Sequence, residues 1–230
     1  MPGGLIRACV IRSSHTSLTA SIMIQTRGNR LIVGISGASG IVYGIRLLEL
    51  LHQTDVETHL IVSRAGETTR EQELDLSAQE MRRLATVVHR NSDIGASIAS
   101  GSFRTQGMII APCSVKTLAE IATGVTSSLL TRAADVVLKE RRRLVLVVRE
   151  TPLNLIHLRN MATVTEAGGI VMPPVPAFYN APASIDEMVT TTMCRALDLF
   201  DIDVGIQRRW GEQINPDRHR SAADPSTPSD

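Results

Sequence analysis

The sequence predicts an α/β domain: a doubly wound parallel sheet with helices on both faces, in three layers. Three observations predict it. Short β-branched runs alternate with longer helical patterns, the signature of successive βαβ units. The strand-like runs are apolar almost throughout, as strands covered on both faces must be. Right-handed crossovers between parallel strands then send the helices to both sides of the sheet.

Each element follows from its residues. Arg30–Ser36 (RLIVGIS) is a β-branched run ending in glycines, and Ile41–Leu51 then carries apolar residues at helical spacing. Thr58–Ser63 reads as a second strand. Thr68–Glu73 and Ser77–Val88 read as helices, the second opened by a capping box of Ser77 with Glu80. Asn91–Arg104 is a low-complexity stretch predicted as a long loop, and loops of that length are often functional. Gly107–Ala111 is a strand expected to stop at Pro112, followed by helices over Val115–Ala122 and Ser127–Glu140. Arg143–Val148 is the most apolar strand; Leu153–Ala167 is a helix, Gly169–Met172 a short strand, and Ile185–Phe200 the last helix.

Composition excludes several function classes. Of 230 residues, 24 are Lys or Arg and 23 are Asp or Glu. That balance argues against an electrostatic nucleic-acid binder. With 3% aromatic residues there is little material for base stacking either. The longest apolar runs, such as Leu144–Val148, fall far short of the roughly 20 residues of a membrane helix. Cys9, Cys113 and Cys194 are far apart and form no CxxC pair, so neither a disulfide framework nor a metal site is predicted. A reducing, cytoplasmic setting fits them.

The ends differ from the middle. Residues 1–29 contain Arg7, Arg12 and Arg27 but no acid, and are rich in Ser and Thr. They read either as an organelle import signal or as an extension ahead of a start at Met23. Residues 213–230 are polar and proline-bearing, a disordered tail by composition. The predicted domain is therefore 30–212, with a disordered extension before it.

Ligands of such sheets bind at the carboxyl ends of the strands. The first strand ends in Gly34-Ile35-Ser36-Gly37-Ala38-Ser39-Gly40 before a helix. Small residues there let the backbone approach a ligand, and the helix N-terminus offers N–H groups to an anion. It is neither a dinucleotide fingerprint nor a P-loop, and it misses the hydrolase nucleophile elbow at Ala38. A phosphate or flavin loop and a plain tight turn both remain open. The third strand ends in Pro112-Cys113-Ser114-Val115-Lys116-Thr117, a second potential anion site. Cys113 is a nucleophile or, with no histidine near it in sequence, a small buried residue. Arg132 and Lys139, nearly two turns apart, share a helix face that is either functional or simply solvated. Arg149 and Glu150 follow the fourth strand and point to opposite sides of an extended chain.

Taken together, the motifs resemble the flavin prenyltransferases, the UbiX/PAD family of flavoproteins. Those that carry the resemblance are Gly37-Ala38-Ser39-Gly40 with Tyr43-Gly44, Pro112-Cys113-Ser114, and Arg132-Ala133-Ala134-Asp135-Val136 through Lys139-Glu140-Arg141. They continue with Arg149-Glu150-Thr151-Pro152, Ile156-His157-Leu158 with Asn160-Met161, Phe178-Tyr179, and Arg209-Trp210-Gly211-Glu212. The resemblance implies a Rossmann-like flavoprotein fold. It implies an enzyme, needing no metal, that joins a dimethylallyl group from dimethylallyl monophosphate to N5 and C6 of reduced FMN. Prenylated FMN would then serve a UbiD-type decarboxylase. It also implies a large homo-oligomer, commonly a dodecamer, with sites between subunits.

The resemblance further implies residue roles. Gly37, Ala38 and Ser39 line FMN, Ser39 near N5. Ser63 lies at the FMN phosphate, and Ser114, Val115, Lys116 and Thr117 add flavin and phosphate contacts. Arg149 contacts FMN, and Arg132 joins the polar network. Lys139, Tyr179 and Arg195 hold the dimethylallyl phosphate. Glu73 and Glu150 handle protons, and Trp210 lies by the prenyl pocket. Ala111 before Pro112 and the Val115-Lys116 pair depart from the family's pattern. Two other readings share the fold or the ligand: an FMN-dependent cysteine decarboxylase, and a non-catalytic flavin carrier. Pro176-Ala177-Phe178-Tyr179-Asn180 stands where the cysteine decarboxylases carry Pro-x-Met-Asn, which favours the prenyltransferase.

Overall fold

The structure, a computed structural model, describes residues 29–206. Trp210 and nearly all of both predicted terminal extensions lie outside the described residues. In chain order the elements are β1 (Arg30–Ile35), α1 (Ile41–His52), β2 (Glu57–Val62), α2 (Arg64–Glu73), α3 (Ala78–Arg83) and β3 (Val87–His89). Then follow β4 (Gly107–Cys113), α4 (Val115–Ala122), α5 (Leu129–Lys139), β5 (Arg143–Val148), α6 (Leu155–Glu166), β6 (Ile170–Val171) and α7 (Ile185–Asp198). The strands form one parallel sheet in the order β3-β2-β1-β4-β5-β6. The order reverses direction between β1 and β4, so a crevice opens at their carboxyl ends.

Period-two alternation along each strand divides the core. Leu31, Val33 and Ile35 of β1 face one layer, with Leu47, Leu48 and Leu51 of α1 and Met193 and Leu197 of α7. Ile32, Met108, Ile110, Leu144 and Leu146 face the other, with Leu118 of α4 and Leu130, Ala134 and Val137 of α5. These side chains are at most 2% exposed. Gly44 of α1 has no room for a side chain: a Cβ there would stand 2.4 Å from the Ala111 carbonyl oxygen. That close approach seats α1 directly on the sheet. No helix among the described residues is long and apolar enough to cross a membrane.

Three expectations need correction. The helix predicted over Ser77–Val88 ends at Arg83, and Val87–His89 forms edge strand β3 on β2. The capping box at Ser77 is present, but Val87 and Val88 follow their β-branched preference beside an open strand edge. The strand predicted to stop at Pro112 runs on to Cys113, which pairs with Val148 after an irregularity that begins at Ile110. Finally, α2 begins at Arg64, well before Thr68, because the Ser63 side chain accepts the Gly66 N–H and caps it.

Candidate functional site

The crevice between β1 and β4 collects the N-termini of three helices. Ser63 caps α2, accepting the Gly66 N–H at 3.0 Å. Ser114 caps α4, accepting the Thr117 N–H at 3.2 Å, and its own hydroxyl donates to Thr117 Oγ1 at 3.1 Å. Ser128 caps α5 in a capping box with Thr131. Asn91 supports the same end: its side-chain oxygen accepts the Leu130 N–H and its carbonyl the Leu129 N–H. Gly37, Ser63, Ser114, Lys116, Thr117 and Ser128 line a cleft of about 440 Å³ between these ends. Helix N-termini carry partial positive charge and spare N–H donors, so this is an anion cradle. Lys116 stands at its wall, largely exposed and paired with Glu120 at 2.9 Å, which also accepts from Ser127.

Gly37 explains why the loop after β1 is built from small residues. A Cβ there would stand 2.3 Å from the Ala65 Cβ, so only glycine lets α2 come this close. Gly40 takes φ +98°, a left-handed turn that starts α1 and that other residues adopt with strain.

Glu73, at the far end of α2, holds this loop. Its carboxylate accepts the Gly40 N–H at 2.9 Å and the Ile41 N–H at 2.9 Å, capping α1 from another element. Burial pushes its pKa up, but the Ser39 hydroxyl, these two N–H groups and the Arg149 charge together hold it below the usual carboxylate value. Glu73 is thus an ionised acceptor here, suited to receiving or steering a proton more than to donating one. Arg149 leaves the end of β5 beside it, with its N–H on the Cys113 carbonyl at 3.1 Å. Its charge also reaches Tyr43 of α1, whose hydroxyl is raised by burial. Glu150 follows and accepts the Thr151 N–H at 3.0 Å.

The flavin half of the predicted site is therefore gathered in one chain: Gly37, Ala38, Ser39, Ser63, Glu73, Ser114, Val115, Lys116, Thr117, Arg149 and Glu150 all stand at the carboxyl ends of β1, β2, β4 and β5. The prenyl-phosphate half is not gathered. Arg132 and Lys139 lie on the outer face of α5, Arg132 paired with Asp135 at 2.7 Å and Lys139 with Glu140. Lys139 ends α5 at the opposite end of the sheet, by the amino ends of the strands and against Gly101, where Arg142 donates to the Gly101 and Phe103 carbonyls. Arg195 is on α7, on the other face of the sheet, bound to Asp198 at 3.3 Å. Tyr179 lies in a 3₁₀ turn (Phe178–Asn180) beyond β6, 59% exposed.

Sequence reasoning missed Ser128 and Asn91, although Ser128 with Thr131 is a readable capping signal. It left Cys113 open. The thiol is fully buried and pushed far up by burial, which makes it a packing residue and not a nucleophile.

Comparison with known proteins fits this geometry. The flavoprotein family pattern matches residues 21–200. A flavin prenyltransferase UbiX from Escherichia coli O157:H7 is 59% identical over 184 residues, covering 79% of this chain and 97% of the relative. This chain belongs to the flavin prenyltransferase family of flavoproteins. Within that family, the crystal structure of AnUbiX (PadA1) in complex with FMN and dimethylallyl pyrophosphate superposes with a TM-score of 0.79. It shares 50% identity over 80% of this chain and 98% of that one. A dodecameric FMN-dependent UbiX-like decarboxylase, also from Escherichia coli O157:H7, gives a TM-score of 0.77, 49% identity, and coverage of 79% and 98%. The cysteine decarboxylase TvaF shares 17% identity at a TM-score of 0.51, a likeness of fold alone.

Proposed function

We propose that this flavin prenyltransferase joins the dimethylallyl group of dimethylallyl monophosphate to N5 and C6 of reduced FMN. The observation that carries the reading is the three-helix cradle at the β1–β4 crevice, in a chain of this family. The residues present fit FMN. Ser63, Ser114, Thr117 and Ser128 offer hydroxyls and helix N–H groups to its phosphate, and the side-chain-free Gly37 leaves the backbone open beside them. When bound and reduced, FMN supplies the nucleophilic nitrogen and carbon.

The chain's own groups do the rest. A phosphate leaving an allylic carbon gathers negative charge on oxygen. Lys139 and Arg195 neutralise that charge, which fixed cations do best where water is scarce. Tyr179 donates a hydrogen bond to the same phosphate. Glu150 returns a proton to the leaving group, Glu73 steers protons at Ser39 as an ionised acceptor, and Arg132 orders the polar surroundings. Trp210 belongs beside the prenyl group, where an aromatic face favours developing positive charge.

Arg195 and Lys139 stand on opposite faces of the sheet, so one copy does not bring them together. We therefore assign the complete site to neighbouring copies in a homo-oligomer, a dodecamer as in the Escherichia coli neighbour. Exposed apolar residues support this: Leu155, Ile156 and Leu158 of α6 are 48–65% exposed, and Val175 and Ile185 are 75% exposed. The product is handed to a UbiD-type decarboxylase. Buried free thiols at Cys113 and Cys194 suit a reducing, cytoplasmic location.

The test is anaerobic incubation with reduced FMN and dimethylallyl monophosphate, followed by flavin mass and absorbance. A flavin heavier by one prenyl group is expected, and the pyrophosphate run in parallel identifies the donor. FMN that binds but keeps its mass would make the chain a carrier.

A further inference from the structure

Ser36 sits where the sheet divides. The β1–β4 ladder pairs Leu31 through Gly34 with Gly107 through Ile110 and ends there. Beyond it, α1 leaves to one face and α4 to the other, so the two backbones diverge. Ser36 spans the gap that opens. Its N–H donates to the Pro112 carbonyl at 3.2 Å, and its hydroxyl donates to the same oxygen at 3.0 Å. The same hydroxyl accepts the Ser114 N–H at 2.8 Å. Ser36 is 1% exposed, so water does not compete for these bonds.

The consequence is a mechanical link between the two halves of the cradle. Gly37 follows Ser36 directly, and Ser114 caps α4 in the cleft wall. The neighbouring Ile35 carbonyl accepts the Ser63 N–H at 2.9 Å, which brings the β2 loop to the same node. Among side chains of this size only a hydroxyl both donates and accepts strongly at one atom. The sequence pattern Gly34-Ile35-Ser36-Gly37 borders on a nucleophile elbow. In the structure, however, the hydroxyl is buried between the strands, bonded to the Pro112 carbonyl and the Ser114 N–H.

We propose that Ser36 is a positioning residue of the flavin site. It touches neither substrate and sets the spacing between the Gly37 loop and the N-terminus of α4. The inference rests on the reading of the cleft as the FMN site. Its test is Ser36→Ala, which removes one oxygen and leaves the Ser114 N–H without its acceptor.

Two readouts are taken: FMN affinity by fluorescence titration, and amide hydrogen exchange of the flavin-free protein. The expected result is an FMN Kd higher by roughly tenfold, the scale of one lost buried hydrogen bond. Exchange should quicken over residues 111–118 while β2 and β5 stay as protected as in wild type. KM for dimethylallyl monophosphate at saturating FMN should not move. Ser36→Thr, which keeps the hydroxyl, should recover most of the affinity.

Wild-type affinity and exchange in Ser36→Ala would overturn the proposal. So would exchange that rises equally in β2, β5 and residues 111–118, since that marks general loosening of the fold. Should Ser36→Ala prove insoluble, Ser36→Cys, of similar size with weaker hydrogen bonds, is read by the same criteria. If the wild-type protein itself fails to bind FMN, the flavin reading falls, and exchange over residues 111–118 still decides whether Ser36 clamps the two strands.

Discussion

The crevice at the carboxyl ends of the strands and the outer face of α5 both carry residues of the predicted site, but they are built differently. In the crevice several residues are tied to distant parts of the chain: Glu73 to Gly40, Ser36 to Ser114, Ser63 to Ile35. On α5 and α7 the cations pair, among the described residues, with neighbours one turn away or less, Arg132 with Asp135, Lys139 with Glu140 and Arg195 with Asp198. Local ion pairs on exposed surfaces contribute little to stability. The crevice is thus preorganised by the fold of one chain. The cations have no comparable anchoring among the described residues.

Substitutions can break or sharpen this contrast. Lys139→Ala should have the largest effect, a loss of at least about a hundredfold in turnover, as for removal of a group that stabilises charge in the transition state. FMN affinity should stay unchanged; equal loss of both would place Lys139 in the flavin site or the fold. Mixed oligomers sharpen the point. Lys139→Ala and Glu150→Gln, each poorly active alone, should regain activity when reassembled together, because a mixed site can draw one intact residue from each copy. A mixture no better than its parts would mean that both residues serve the same chain's site.

On the crevice side, Gly37→Ala should weaken FMN binding by tenfold or more and lower the melting temperature. The new methyl meets Ala65 at a distance no real contact tolerates, so α2 must shift. Unchanged flavin binding would mean that the cradle does not depend on α2. A smaller effect is expected from Glu73→Gln, which keeps an acceptor but removes the charge capping α1, a loss of about 1 kcal/mol by comparison with other helix caps. The pH dependence should change with it. Because the folded state holds the Glu73 pKa below its ordinary 4.5, its contribution is present above that value and is lost as pH falls through the folded pKa. The variant should show a shallower loss of stability in acid.

The smallest effect is expected at a pair that belongs to neither region. His59 and His89 share a hydrogen bond of 2.9 Å, with Glu57 on the other side of His59 and Arg30 beyond it. Burial lowers both histidine pKa values from 6.5; at His59 Glu57 opposes the shift and Arg30 adds to it, while at His89 the neighbouring His59 adds to it and Asp93 opposes it. A histidine whose folded pKa is lowered destabilises the native state as pH falls below its unfolded value, so the protein should lose stability below about pH 6.5. His89→Phe should remove part of that loss without touching turnover at neutral pH. An identical pH profile of melting temperature would show that the pair does not titrate in this range.

Much of this was legible in the sequence, and the reason is local. Strand runs such as Leu144–Val148 and capping residues such as Ser77 carry their signal within a few residues, so element order and the glycine loop could be read directly. Val87–His89 could not, since a three-residue edge strand is decided by the open side of β2 and not by its own length. Ser36 was legible only as a residue type, and Glu73 only through the resemblance, not as the cap of α1. Their partners lie 78 and 33 residues away, and no periodicity links such pairs. The residues assigned to the prenyl phosphate were visible through resemblance alone, because the fold of one chain does not bring them together.

With the complete site assigned to neighbouring copies, as proposed, the placement of Lys139 and Arg195 on opposite sides of the sheet would make subunit concentration a control on chemistry. Assembly of identical copies follows mass action, whereas folding of each copy does not. Diluted below its association midpoint, this protein should persist as a folded chain that still takes up flavin but turns nothing over. Specific activity would then climb steeply as copies accumulate, so the amount of enzyme made sets how well each molecule works as well as how many there are.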